Sequence, residues 1–164
     1  MDPVTVLVAG RPRTRRACVA ALADSPDVRV VGQAGGPAEA LFRTRHARPR
    51  VVVLASALGS ARQRILLTAL AAAPGVEVLV VAPPHPRAVL DALADGARGH
   101  VEPRRVRQWL AKAVRAVANG DAWCSRGIEG ALAARIARES LDRRDAPRDV
   151  APWSNGRRAL RRRR

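Results

Sequence analysis

The chain has 164 residues, with 30 Lys+Arg against 14 Asp+Glu, a formal charge of +16, and a hydrophobic content of 48% that includes three Trp, one Phe and no Tyr. That length suits one domain with an appendage, and its core must be aliphatic. No run of about 18 apolar residues is present to span a bilayer, and the N-terminus lacks the basic-then-apolar order of a secretory signal. Cys18 and Cys124 make neither a disulfide framework nor a four-ligand zinc set, so a cytoplasmic protein without a membrane partner is expected.

The first apolar run, residues 4–9, predicts a strand, and residues 13–24 are of helix length. The alternation repeats: runs at 28–32, 51–55, 76–82 and a weaker 99–101, separated by segments at 36–47, 61–73, 86–96 and 103–119. The runs at 4–9, 51–55 and 76–82 are almost unbroken Val and Leu, as strands buried on both faces of a parallel sheet require. Ser25-Pro26-Asp27, Gly35-Gly36-Pro37, Pro74-Gly75, Pro83-Pro84 and Asn119-Gly120 punctuate the boundaries. Gly32 to Gly36 lacks the spacing of a dinucleotide-binding turn and the Lys of a P-loop, and is read as a turn. The pattern implies an α/β protein, a doubly wound five-stranded parallel sheet with right-handed crossovers. In such a fold ligand chemistry sits at the carboxyl ends of the strands.

Segment 103–119 has the clearest helical period, with Val106, Leu110, Ala113, Val114 and Val117 on one stripe. After Trp123, Ser125 is placed to cap a further helix in which Ile128, Leu132 and Ile136 recur every four residues. Beyond Leu141 the chain is charged, broken by Pro and Gly, and aperiodic, ending in Arg157, Arg158, Arg161, Arg162, Arg163 and Arg164. The expected organisation is a domain at 1–123, a linker helix at 124–141 and an Arg-rich, disordered tail at 142–164.

These residues together resemble the CheY-like receiver domain in the form found in NarL/LuxR-type response regulators. The resemblance is carried by VTVLVAGRPRTRRACVAAL from Val4, DVRVVGQAGGPAEA from Asp27, RPRVVVLA from Arg48, VLVVAPPHPRAVLDALADGARG from Val78 and VRAVANGDAWCS from Val114. It covers residues 4–140 and rests on the order and spacing of the segments rather than on one motif. Receiver chemistry implies two acids after the first strand to hold Mg²⁺, an acceptor Asp ending the third, a hydroxyl ending the fourth and a Lys after the fifth. By position these fall on Gly10 and Arg11, Ala55, Ala82 and Pro103. Every one of those functional groups is missing, so a pseudo-receiver with no Mg²⁺, no cofactor and no enzyme activity is expected. His100 stands where an aromatic switch residue is common.

Arg11, Arg13, Arg15 and Arg16 cluster at the end of the first strand and the start of the next helix, where anions are favoured. They form either an anion-accepting pocket or a solvated face with one Arg filling the vacated cation position. Asp24, Asp27, Asp91 and Asp95 lie away from the strand ends, and His85 is a loop residue with no evident partner. Cys18 is expected in the core and Cys124 partly exposed. The dimer face usual in receivers here supplies Val89, Leu93, Val101, Val106, Trp109 and Leu110, with Trp109 either projecting toward a partner or simply packing. No helix-turn-helix unit is identifiable after residue 141. The expected function is phosphorylation-independent signal transduction or transcriptional regulation through protein partners, including a homodimer. The alternatives are nucleic-acid binding by the basic body and terminal arginines, or sensing of an anionic small molecule.

Overall fold

Valine and leucine crowd the strands because both faces of the sheet are covered. The computed structural model describes residues 2–56 and 58–145. Strands β1 (Val4–Gly10), β2 (Val28–Ala34), β3 (Val51–Ala55), β4 (Glu77–Val81) and β5 (Gly99–Val101) form one parallel sheet in the order β2-β1-β3-β4-β5. Between and after them lie α1 (Pro12–Ala23), α2 (Pro37–Ala47), α3 (Ala61–Ala71), α4 (Pro86–Ala94), α5 (Val106–Ala118) and α6 (Arg126–Asp145). This is the doubly wound α/β fold that the alternating runs predict.

Side chains alternate across the strands. Val6, Val8, Val51, Val53 and Leu79 join Cys18 and Leu22 of α1 and Leu110, Val114 and Val117 of α5 in one layer. Leu7, Val52, Leu54, Val78 and Val80 join Leu66, Leu67 and Leu70 of α3 in the other. Pro12, Pro37 and Pro86 sit in the first turns of α1, α2 and α4, where a missing N–H costs nothing. Ser60 caps α3 by accepting a hydrogen bond from the Gln63 N–H. At the amino end of β3, Arg50 donates to the Ala118 carbonyl at 3.0 and 2.6 Å, placing positive charge at the carboxyl end of α5.

Several boundaries differ from the sequence reading, each for a local reason. Residues 103–105 form a short 3₁₀ turn begun by Pro103, so α5 starts at Val106. Helix α4 stops at Ala94, shortly before Gly96 adopts φ +112°. Gly32 and Gln33, read as part of a turn, belong to β2, which pairs with β1 as far as Ala34. Helix α6 continues past the expected boundary at 141 to Asp145.

Helix α6 docks on α4. Ile128 is buried against Val89 and Leu90, and Arg135 pairs with Asp91 at 3.0 Å. Contact then lapses along the stripe: Ile128 is 2% exposed, Leu132 37% and Ile136 55%.

Candidate functional site

At the carboxyl edge of the sheet, β1 and β3 end side by side, with Gly10 paired to Ala55. Gly10 has φ +143°, and a Cβ built on it would lie 1.9 Å from the Ala55 carbonyl oxygen. That separation is far inside van der Waals contact, so the backbone itself occupies the place of a side chain at this position. Next to it, the Ser56 N–H donates to the Val81 carbonyl at 3.1 Å, and the Ser56 hydroxyl lies 2.7 Å from Gln63 Oε1. The Ala82 N–H donates to Val101 at 3.2 Å. Pro103 is exposed at the start of the 3₁₀ turn. The remaining cleft, lined in part by Gly10, Arg11, Ser56 and Gln63, encloses about 110 Å³. That is a few water molecules' worth of space.

The four arginines that the sequence clusters do not converge. Arg15 turns back onto the strand ends, its Nη1 donating to the carbonyls of Gly10 at 3.0 Å and Ala34 at 3.3 Å, and its Nε to Gln33 Oε1 at 3.3 Å. Its guanidinium thus fixes backbone rather than awaiting a ligand. Arg11, Arg13 and Arg16 are exposed, and Arg11 borders the small cleft. Glu39 accepts from the Gly35 N–H at 2.8 Å and from Arg43, and these bonds hold its carboxyl below the usual range. Asp95, just past the end of α4, pairs with Arg64 at 2.9 Å, and Asp27, in the turn before β2, pairs with Arg115, both away from the carboxyl ends of the strands. Among the described residues no three His, Cys, Asp or Glu side chains come together to hold a metal ion.

Four residues of the expected dimer face require correction. Val89, Val101, Val106 and Leu110 are at most 3% exposed. The last three belong to the core beneath α5, and α6 packs with Val89. Leu93 and Trp109 keep accessible surface. Cys18 is fully buried, and burial pushes its thiol up to about 12, which removes thiolate reactivity near neutral pH. Cys124 is half-buried and its thiol is also raised by burial. His85 is exposed at the start of α4 with no side-chain capping bond. Arg157, Arg158 and Arg161 to Arg164 lie outside the described residues.

A feature the sequence did not flag lies at the β5 edge. The chain returns after α5 and Trp123 forms an isolated parallel bridge to Gly99; the His100 N–H donates to the Trp123 carbonyl at 2.8 Å. A Cβ on Gly99 would stand 2.7 Å from that carbonyl oxygen, so only glycine admits the approach. Trp123 then faces Trp109 of α5 with ring centroids 6.0 Å apart and a 48° interplanar angle. His100 is buried on the other face of the sheet, the one it shares with Val80, its Nε2 lying 2.8 Å from the Ala82 carbonyl oxygen. The signal in the sequence was Gly99 followed, one helix later, by an aromatic.

No helix among the described residues is long and apolar enough to cross a membrane. No protein-family model and no curated protein matches the chain. Solved structures do. The signal receiver domain of a NarL response regulator from Mycobacterium tuberculosis is 29% identical, over 73% of this chain and 99% of that one, with a TM-score of 0.66. A LuxR-family two-component response regulator from an Aurantimonas species is 20% identical over 83% and 99%, with a TM-score of 0.72. The response regulator RcsB of Salmonella typhimurium is 15% identical over 87% and 78%, with a TM-score of 0.70. The chain therefore has the CheY-like receiver fold and resembles the receiver domains of NarL/LuxR-type response regulators.

Proposed function

We propose that the protein is a receiver-type signalling module whose output does not depend on aspartyl phosphorylation and is delivered through contacts with protein partners in transcriptional control. Likeness to receiver domains supports a place in two-component signal transduction. The observation that carries the finer reading is the closure of β1 onto β3. Phosphoryl acceptance needs a nucleophilic oxygen, and Ala55 has none; binding of Mg²⁺ needs oxygen ligands with room around them, and Gly10 abuts the Ala55 carbonyl. With Arg15 clamped on the same strand ends, the local charge is also wrong for a cation. Such a module acts by presenting surfaces whose population a partner or ligand shifts, with no catalytic step of its own, and the expected compartment is the cytoplasm.

The deciding experiment incubates the full chain with acetyl phosphate and Mg²⁺ and follows intact mass. No phosphoryl adduct is expected; an acid-stable, base-labile acyl phosphate on any Asp overturns the reading.

A second reading, nucleic-acid binding, is favoured by the charge of +16 and by the exposure of Arg11, Arg13 and Arg16. A structure of RcsB shows dimers of that protein bound to DNA. Backbone-driven binding by this chain would weaken steeply with salt and with deletion of residues 157–164. Retention of a homodimer after that deletion, with no salt-dependent DNA binding before it, favours the protein-partner reading.

A further inference from the structure

In a parallel sheet the helix after each strand begins at the carboxyl edge and ends at the amino edge, and the charges of this chain divide between those edges. Arg11, Arg13 and Arg16 are exposed at the start of α1. Arg104, Arg105 and Arg107 are exposed in the 3₁₀ turn and first helical turn that open α5. The first turns of α1, α3, α4 and α5 hold no acidic residue. Of the acids near this edge, Glu39 is already held by the Gly35 N–H and Arg43, and Glu102 is half-buried. Carboxylates collect instead at the amino edge: Asp24 and Asp27 between α1 and β2, Glu77 at the start of β4, Asp95 at the end of α4 and Asp121 after α5. A helix by itself favours the reverse, acids in its first turn and bases in its last, so helix stability does not account for the division.

The two groups of arginines are neighbours. Helices α1 and α5 pack together on one face of the sheet, through Cys18 and Leu22 of the one and Leu110 and Val114 of the other, and packed helices lie about 8–10 Å apart. Ion pairs among the described residues engage Arg43, Arg64, Arg98, Arg115 and Arg135, and none of these six. Arg105 donates to Gln108 Oε1 at 3.2 Å, a contact that leaves its charge uncompensated. Like charges held side by side repel, and a polyanion laid across them removes that cost.

The surroundings select among polyanions. A protein partner calls for an apolar centre to its interface, and the large hydrophobic residues most exposed here, Phe42, Ile65, Leu132 and Ile136, lie on α2, α3 and α6. A single nucleic-acid strand calls for open aromatic platforms along its path. Helix α1 carries no aromatic residue, and Trp109 is half-buried with Trp123 in the wall of a cavity of about 510 Å³ at the β5 flank. A duplex backbone needs neither: it presents one charge per about 1.7 Å of axis, and guanidinium forks match phosphate oxygens.

We propose that the starts of α1 and α5 form a docking face for double-stranded nucleic acid, held through its phosphates without regard to base sequence. This deepens the nucleic-acid reading given above and rests on it. The folded domain supplies contacts that persist, weakened, without residues 157–164, and the exposed apolar residues of α2, α3 and α6 stay free for protein partners.

The test measures binding of the full chain to a labelled duplex of about 20 base pairs by fluorescence anisotropy, between about 50 and 200 mM salt. Six phosphate contacts give a slope of log K against log salt of about −5. The triple variant Arg11→Gln, Arg13→Gln, Arg16→Gln reduces that slope by about 3, and so does Arg104→Gln, Arg105→Gln, Arg107→Gln. A third triple, Arg29→Gln, Arg45→Gln, Arg48→Gln, removes the same charge from exposed positions outside the face and leaves the slope in place. All nine positions are exposed, so melting temperatures stay level; should one triple of the face fail to fold, the other decides. Absence of binding by the unaltered chain at about 50 mM salt overturns the nucleic-acid reading itself, and this proposal with it. Binding that is abolished by deleting residues 157–164, or a slope reduced as much by the third triple as by the first two, overturns this face alone. Tighter binding of a single strand, or equal binding of polyglutamate of matched charge, assigns the face to another partner and also overturns the proposal.

Discussion

At the centre of the sheet's carboxyl edge, β1 and β3 meet backbone to backbone with a cleft of about 110 Å³ beside them, whereas at β5 two indoles stand apart over a cavity of about 510 Å³. Both regions depend on a glycine that lets main chain approach main chain, with opposite results. Gly10 brings its backbone onto the Ala55 carbonyl and fills the space a side chain would need. Gly99 admits the Trp123 carbonyl, and that contact brings the segment after α5 alongside β5, where Trp123 helps to line the open cavity. The same residue type at two strand ends therefore shapes the carboxyl edge of the sheet in opposite ways. At β1 the backbone closes against β3, and the chain after α5 builds a further wall at β5.

The sharpest way to break this contrast is to put a side chain back at Gly10. Gly10→Asp combines a left-handed φ with overlap onto a buried carbonyl, and should destabilise the domain by about 4 kcal/mol in urea melts. The double variant Gly10→Asp with Ala55→Asp should take up no phosphoryl group despite its restored carboxylates. A stable double variant that is phosphorylated would mean that the cleft is merely depleted of ligands and is not closed.

Gly99→Ala should have a smaller effect, about 2 kcal/mol, because the Trp123 segment can retreat where the β3 backbone cannot. The expected signature is a shift in tryptophan emission at unchanged helix content, read by fluorescence and circular dichroism. An unchanged spectrum would detach Trp123 from the β5 edge.

The gentlest probe is pH. Burial, opposed in part by the hydrogen bond to Ala82, lowers the pKa of His100 below 6.5. Above 6.5 the histidine is neutral in both folded and unfolded chains and costs nothing. As pH falls below 6.5 the unfolded chain takes up the proton first, so stability declines until the folded histidine also protonates, with a slope of at most about 1.4 kcal/mol per pH unit. His100→Gln should flatten this segment of the stability profile while leaving the region above pH 7 level.

Much of the architecture was legible in the residues. The almost unbroken Val and Leu runs at 51–55 and 76–82 read as strands covered on both sides, and the stripe from Val106 to Val117 fits one face of a helix. The burial of Cys18 followed from the same reasoning. Four of the six residues assigned to the dimer face are buried because periodicity marks apolar positions without saying what covers them: Val89 meets Ile128 of α6, and Leu110 lies in the core. The arginine cluster had two readings, an anion pocket or a solvated face with one Arg turned inward, and only the tertiary structure separates them. Four neighbouring guanidiniums in sequence diverge in space, since Arg15 satisfies the strand-end carbonyls while Arg11, Arg13 and Arg16 face solvent.

The sequence by itself determined the parallel α/β fold and the absence of oxygen ligands at positions 10, 55 and 82, because hydrophobic period and side-chain chemistry are local properties. Tertiary structure alone decided that β1 closes on β3 and that a cavity stands at β5. Both depend on close backbone approaches, Gly10 to Ala55 and Gly99 to Trp123, between residues far apart in the chain. Such a contact depends on how strands and returning segments stack in space, which no run of neighbouring residues encodes.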